Sequence, residues 1–170
     1  MQQLILGGVR SGKSRYAQQL AQESDKPVTL IATATAGDAE MAERIRRHQQ
    51  ERPAHWQVIE EPLALSDALQ KSDNPEAIIL IDCLTLWLTN LLLDNDPQRL
   101  AQEQDKLLVC LPSLQADLLF VSNEVGQGII PADPLSRRFA DETGRLHQHL
   151  ARVCDRVTLI TAGLPQTLKG

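Results

Sequence analysis

The sequence predicts an α/β fold, a mostly parallel central sheet with helices on both faces. Three observations predict it. Short apolar runs, Leu4-Ile5-Leu6, Val28 to Ile31 and Ala77 to Ile81, show no polar alternation, as strands buried on both faces do. Segments of helical periodicity separate these runs, so strand and helix alternate along the chain. The 170 residues are 42% hydrophobic, enough for one sizeable core, and residues 1–170 are expected to form a single domain.

The elements follow in order. Gln3 to Leu6 reads as a strand. Gly7-Gly8-Val9-Arg10-Ser11-Gly12-Lys13-Ser14 then matches G-x-x-x-x-G-K-S, a phosphate-binding P-loop, and Ala17, Leu20 and Ala21 continue it into a helix over Gly12 to Glu23. Pro27 punctuates before the strand Val28 to Ile31, and Ala32 to Gly37 is a small-residue loop. Asp38 to Gln50 reads as a helix that stops before Pro53. Trp56 to Ile59 is a short strand, and Leu63 to Gln70 a short helix after Pro62. Ala77 to Asp82 is the clearest buried strand, followed by helices over Leu84 to Leu93 and Gln98 to Leu111 with the turn Asp94-Asn95-Asp96-Pro97 between them. Asp117 to Ser122 is a strand, and Asn123 to Pro131 a glycine-containing loop. Asp133 is an N-cap with Pro134 at the first helical position, and Leu135, Phe139, Leu146, Leu150 and Val153 mark the buried face of a long helix. Arg156 to Thr161 is the last strand.

Composition excludes several function classes. The formal net charge of −5 and only five aromatic residues argue against a broad nucleic-acid surface. The longest apolar stretches are too short or too polar to span a bilayer, and no signal-peptide pattern opens the chain, so a cytoplasmic protein without membrane insertion is expected. Cys83, Cys110 and Cys154 are an odd, widely spaced set, which suggests neither a disulfide framework nor a zinc site.

The P-loop points to a nucleoside triphosphate. Its glycines let backbone N–H groups turn inward on phosphates, Lys13 supplies a cation for the β- and γ-phosphates, and Ser14 a hydroxyl for Mg²⁺. Asp82 closes an apolar strand downstream. Two compatible readings fit it: the Mg²⁺-organising carboxylate of a P-loop site, or the N-cap of the helix that follows. Arg44, His48 and Arg52 fall at i, i+4 and i+8 along one helix face. They read either as a triphosphate-recognising surface with a nucleophilic or acid–base histidine, or as a solvated helix that happens to carry one. Asn123 and Glu124 open the loop after the Asp117 strand, at the sheet edge that also carries the P-loop, and read as substrate contacts or as a structural turn. His55, His147 and His149 show no ligand-like spacing and read as surface or helix residues.

These residues together resemble a known family, the bifunctional adenosylcobinamide kinase/adenosylcobinamide-phosphate guanylyltransferase of cobalamin biosynthesis. The similarity is carried by Gly7 to Arg15, Ile31 to Ala34, Met41 to Ile45 through His48, and Arg52 to Trp56. It continues through Asp82 to Thr85 with Asn90 to Leu92, Asn123 to Gly126 through Pro131, and Phe139 through Asp141 to Gly144. The segments R-I-x-x-H-x-x-x-R-P and N-E-V-G-x-G-I-x-P are far more specific than the P-loop.

The resemblance implies a RecA-like P-loop fold and a homotrimer. It implies phosphorylation of adenosylcobinamide by ATP or GTP, then transfer of GMP from GTP to give adenosylcobinamide-GDP and pyrophosphate. The second step runs through a guanylyl-histidine whose histidine falls on His48. Nucleotide contacts fall on Gly7 to Ser14, on Ala32, Thr33 and Ala34, on Gln49, Gln50, Glu51 and Arg52, and on Glu60 and Asp82. Lys13 and Mg²⁺ held at Ser14 and Asp82 would stabilise charge on the leaving pyrophosphate. The chain departs from the family in having His147 where Asn is expected and Asp82 where some relatives carry Glu. The alternative reading is a P-loop kinase of another small molecule without nucleotidyl transfer, and a third is a nucleotide-dependent switch protein.

Overall fold

The computed structural model describes residues 1–37, 39–50 and 53–170, apart from the side chains at 41, 44, 47, 48 and 50. Seven strands are joined in one sheet: β1 (Gln2–Gly7), β2 (Val28–Ala32), β3 (Gln57–Glu60), β4 (Ile78–Asp82), β5 (Asp117–Asn123), β6 (Arg156–Thr161) and β7 (Leu164–Lys169). Their order is β3-β2-β4-β5-β1-β6-β7, parallel throughout except for the antiparallel pair β6–β7. The helices are α1 (Lys13–Glu23), α2 (Ala39–Gln50), α3 (Leu65–Ser72), α4 (Leu84–Leu92), α5 (Arg99–Cys110) and α6 (Pro134–Val153).

The pleat divides the apolar residues between two cores. Leu4, Leu6, Ile79, Ile81, Leu118 and Phe120 pack with α3, α4, α5 and α6, whose fully buried anchors include Leu69, Trp87, Leu107 and Leu150. Ile5, Leu30, Ile78, Leu80, Leu119 and Val121 point to the other face and pack on Ala17 and Ala21 of α1 and on Trp56. Continuous apolar strands are what such a doubly covered parallel sheet requires. Most element bounds agree with the sequence expectation to within one or two residues. Asp133 caps α6 by accepting the Ser136 amide at 2.8 Å, with Pro134 in the first turn. On α6, Leu146 and Leu150 are buried, whereas Leu135 and Val153, expected on the same face, are exposed.

One strand was not foreseen. Ala162 and Gly163 both have positive φ, 53° and 80°, and reverse the chain after β6. A two-residue turn with positive φ at both positions matches the twist of a hairpin. β7 then runs antiparallel along the sheet edge with all of its residues exposed, so it carries no apolar run, and Pro165 sits where only an edge strand tolerates it. Arg156 to Thr161 is therefore the last parallel strand and not the last strand.

Strand register sets the site. Glu60 pairs with Ala32, Ala32 with Asp82, and Asp82 with Val121, so Glu60, Ala32 and Asp82 lie in one row at the carboxyl edge. Gly7 pairs with Asn123 on the neighbouring strands, which brings the P-loop and the Asn123 loop to that edge. Ligands of open α/β sheets gather there.

Candidate functional site

The P-loop is held by the carbonyl side of its backbone. Gly7 O accepts the Glu124 amide at 3.0 Å, Gly8 O the Ser11 amide at 3.2 Å, Ser11 O the Gly163 amide at 2.8 Å, and Gly12 O the Tyr16 amide at 2.9 Å. Gly12 has φ 97°, a left-handed conformation that glycine adopts without cost, and it offers no side-chain cap to α1. The first-turn amides of α1 are thus free of side-chain capping at the position where a helix N-terminus attracts an anion. Lys13 Nζ lies over the loop and donates to Gly8 O at 3.2 Å. Burial pushes the Lys13 ammonium below the ordinary lysine value, and Cys83 and Asp82 pull it back up. A partly desolvated cation beside a helix N-terminus that carries no side-chain cap is suited to phosphate oxygens.

Across the edge, Ser14 Oγ and Asp82 Oδ1 stand 3.5 Å apart. A hydroxyl and a carboxylate supply two hard oxygen donors, and Mg²⁺ takes few protein ligands and completes its octahedron with phosphate and water. The two residues therefore fit that ion. No cluster of three His, Cys, Asp or Glu able to hold a metal occurs among the described residues. Asp82 does not cap α4, because Cys83 occupies that position and makes no side-chain cap bond. The Asp82–Cys83 peptide is cis. Burial pushes the Cys83 thiol up, and the Asp82 carboxylate adds to the push.

The loop after β2 is fastened to the same place. Thr33 is fully buried; its Oγ1 donates to Cys83 O at 2.7 Å and accepts the Cys83 amide at 3.0 Å. The Thr33 hydroxyl is thus committed to the protein, and Ala32 is buried in β2. Asn90 on α4 donates to Thr33 O at 2.7 Å and Pro62 O at 3.1 Å and accepts the Thr35 hydroxyl at 3.0 Å. The family resemblance places a nucleotide contact on Thr33 but assigns no role to Asn90, Thr35 or Pro62.

Gln49 and Glu60, both expected to touch nucleotide, line one cavity of about 380 Å³ together with Pro53, Ala54, Trp56 and Val58. The Trp56 indole N–H is buried without a hydrogen-bond partner among the described residues. Arg44, His48 and Gln50 lie on α2, but their side chains are outside the described residues, as are Glu51 and Arg52 altogether.

On the other side, the Asn123 amide donates to Thr85 Oγ1 at 2.9 Å, while its side-chain Oδ1 is buried and unpartnered. Glu124 Oε1 accepts the Gly126 amide at 2.6 Å and so folds the loop on itself. His147, read as a surface or helix residue, lies on α6 and is buried, with Nε2 2.7 Å from Ser122 Oγ beneath this loop. Burial pushes its pKa below the ordinary histidine value, and Glu124 partly offsets that. His147 lies on α6 on the same side as Thr143, Leu146 and Leu150, an inward periodicity that was available in the sequence. His55 and His149 are exposed, as expected.

Comparison with known proteins is consistent along the chain. The family model described as CobU, cobinamide kinase / cobinamide phosphate guanyltransferase, matches residues 3–168. The chain is 56% identical over 170 residues to the bifunctional adenosylcobalamin biosynthesis protein CobP of Pseudomonas aeruginosa, spanning 100% of this chain and 98% of that one. It is 37% identical over 179 residues to the bifunctional adenosylcobalamin biosynthesis protein CobU of Escherichia coli, spanning 98% of each. Among solved structures, the RadB recombinase superposes with a TM-score of 0.50 over 93% of this chain and 73% of that one at 12% identity. That likeness is one of fold alone, the RecA-like P-loop arrangement.

Proposed function

The chain belongs to the cobinamide kinase / cobinamide phosphate guanyltransferase family, and on that premise we propose that it performs both reactions at the carboxyl edge of its sheet. In the first, the hydroxyl of the aminopropanol arm of adenosylcobinamide attacks the γ-phosphorus of ATP or GTP, and the nucleoside diphosphate leaves. In the second, an imidazole nitrogen of His48 attacks the α-phosphorus of GTP, and the bond to the bridging oxygen breaks to release pyrophosphate. An oxygen of adenosylcobinamide phosphate then attacks the same phosphorus. The P–N bond breaks, adenosylcobinamide-GDP is formed and the histidine is returned.

The observation that carries the reading is the convergence of the P-loop, the Ser14–Asp82 pair and the Glu60 row on one edge. P-loop amides, other than that of Ser11, and Lys13 hold the phosphates and take up charge on the leaving group. Mg²⁺ held at Ser14 and Asp82 would supply Lewis-acid polarisation of the phosphoryl oxygens. Gln49 and Glu60 line a cavity that suits the guanine base, whose N–H groups need an acceptor such as the Glu60 carboxylate. Nucleotide contacts by Gln50, Glu51 and Arg52, and recognition of the triphosphate by Arg44 and Arg52, belong to the same proposal. Asn123 and Glu124, at the same sheet edge, are the proposed contacts of the corrinoid's phosphorylated arm, a role that the unsatisfied Asn123 Oδ1 supports. Among the described residues no helix is long and apolar enough to cross a membrane. Cytoplasmic location, a homotrimeric assembly and the absence of nucleic-acid binding belong to the same proposal, the last supported by the net charge of −5.

The test is protein labelling. Wild-type protein with Mg²⁺ and GTP labelled at the α-phosphorus should retain acid-labile label after denaturation. The γ-label should leave none, and His48→Ala should abolish the α-signal. A wild-type protein that binds GTP yet takes no α-label would overturn the guanylyl-histidine and leave a small-molecule kinase.

A further inference from the structure

Asn90 makes three side-chain hydrogen bonds to two different loops. Its Nδ2 donates to Thr33 O at 2.7 Å and Pro62 O at 3.1 Å, the first just after β2 and the second just after β3. Its Oδ1 accepts the Thr35 hydroxyl at 3.0 Å. A side-chain amide has two N–H donors and one oxygen acceptor, so every polar atom of this one is engaged, half-buried at a packed helix. α4 itself is fixed: Leu84, Trp87, Leu88 and Leu91 are buried in the core, and the Trp87 indole donates to Leu63 O at 2.8 Å. The rigid element thus grips the loop that leads, four residues beyond Thr35, into α2 at Ala39. Upstream, the loop is also closed by the two-way Thr33–Cys83 pair and by the Thr33 amide donating to Asp82 O at 3.4 Å.

The two proposed reactions use different elements. Phosphate handling by the P-loop needs β1, α1 and Asp82 on β4, none of which Asn90 touches through its side chain. Guanylyl transfer needs, in addition, the histidine on α2. We infer that Asn90 is a positioning residue for α2, acting through the Thr33–Thr35 loop, and that it serves the guanylyltransferase half of the enzyme and not the kinase half. The inference rests on the reading of His48 as the nucleophile. Small displacements of a nucleophile cost large factors in rate, because attack requires a near-aligned approach.

The test uses the full chain, with Asn90→Leu, Thr35→Val and Thr35→Ser compared with wild type. Thr35 is exposed, so its valine variant leaves the core untouched and removes only the hydroxyl tie. The rate of protein labelling from α-labelled GTP should fall about tenfold in Asn90→Leu and roughly threefold in Thr35→Val, as expected for losing net hydrogen bonds. Thr35→Ser should label like wild type, and phosphorylation of adenosylcobinamide by ATP should stay within about twofold in every variant. Hydrogen exchange of the 39–50 amides, measured alongside, should be faster in both disrupting variants. Equal losses in the two activities, or labelling unchanged in both disrupting variants, would overturn the role of Asn90. If wild type itself takes no α-label, the His48 reading fails. The exchange data then decide the anchor alone: faster α2 exchange supports it, and unchanged exchange overturns it.

Discussion

Thr33→Val replaces a buried hydroxyl by a methyl of nearly the same shape, and its cost can be worked from the contacts. The valine cannot accept the Cys83 amide, now bound at 3.0 Å, nor donate to Cys83 O, now bound at 2.7 Å. The carbonyl keeps a second partner, the Trp87 amide at 3.2 Å, so it stays satisfied. The amide has no such reserve. A buried donor left unpaired costs about 1–3 kcal/mol, so the net destabilisation should be about 2 kcal/mol. For a chain of this length that is a fall in Tm of roughly 4–8 °C. Thr33→Ser is the control: it keeps both hydrogen bonds and loses one buried methyl, for about 1 kcal/mol. Urea denaturation followed by circular dichroism, with thermal melts beside it, measures both variants. A valine variant within about 0.5 kcal/mol of wild type, or a serine variant costlier than valine, would show that the Thr33–Cys83 pair does not hold this loop.

Two further outcomes test other parts of the edge. In Gly7→Ala the new Cβ would lie 2.7 Å from Ile160 O, a backbone atom of the paired strand, and 2.4 Å from Ser11 Oγ. Ser11 can rotate away but Ile160 cannot, so about 1–3 kcal/mol of stability should be lost. Gly8→Ala, whose Cβ meets nothing within 4 Å, should melt near wild type, and equal melts for the two would refute the clash. His147 sets a pH dependence. Its folded pKa lies below its ordinary value of 6.5, so between those two values the unfolded chain binds the extra proton and stability rises with pH. Acidification below about 6.5 should therefore destabilise the wild type, and His147→Asn should flatten that part of the Tm–pH curve. Parallel curves for the two proteins would remove His147 as the cause.

How much of this was legible in the sequence depended on whether the signal is local. β4 and β5 announce themselves because strands buried on both faces must be apolar at every position, and Asp133-Pro134 announces α6 because a cap and a first-turn proline are adjacent choices. The Leu164–Lys169 strand has no such trace, being exposed along its length and recognised only by its partner β6. His147 does lie on a helix, one of its two sequence readings, and its inward position follows from its spacing to Thr143 and Leu150. In the site, the P-loop and Asp82 were legible as motif and as strand end. The Asn90 and Thr33 ties were not, because polar pairs joining residues 28 to 57 positions apart leave no periodicity.

The C-terminal hairpin takes part in holding the loop that is proposed to bind phosphate. For amides to face an anion, the carbonyls of the same residues must be satisfied elsewhere, or the loop would turn to satisfy them. Here each partner comes from a different element. Glu124 after β5 takes Gly7 O, Gly163 of the β6–β7 turn takes Ser11 O, and Tyr16 of α1 takes Gly12 O. The approach at the turn is close enough that a Cβ on Gly12 would lie 3.3 Å from Gly163 Cα. An exposed strand that adds almost nothing to the core is thus retained for where its turn sits.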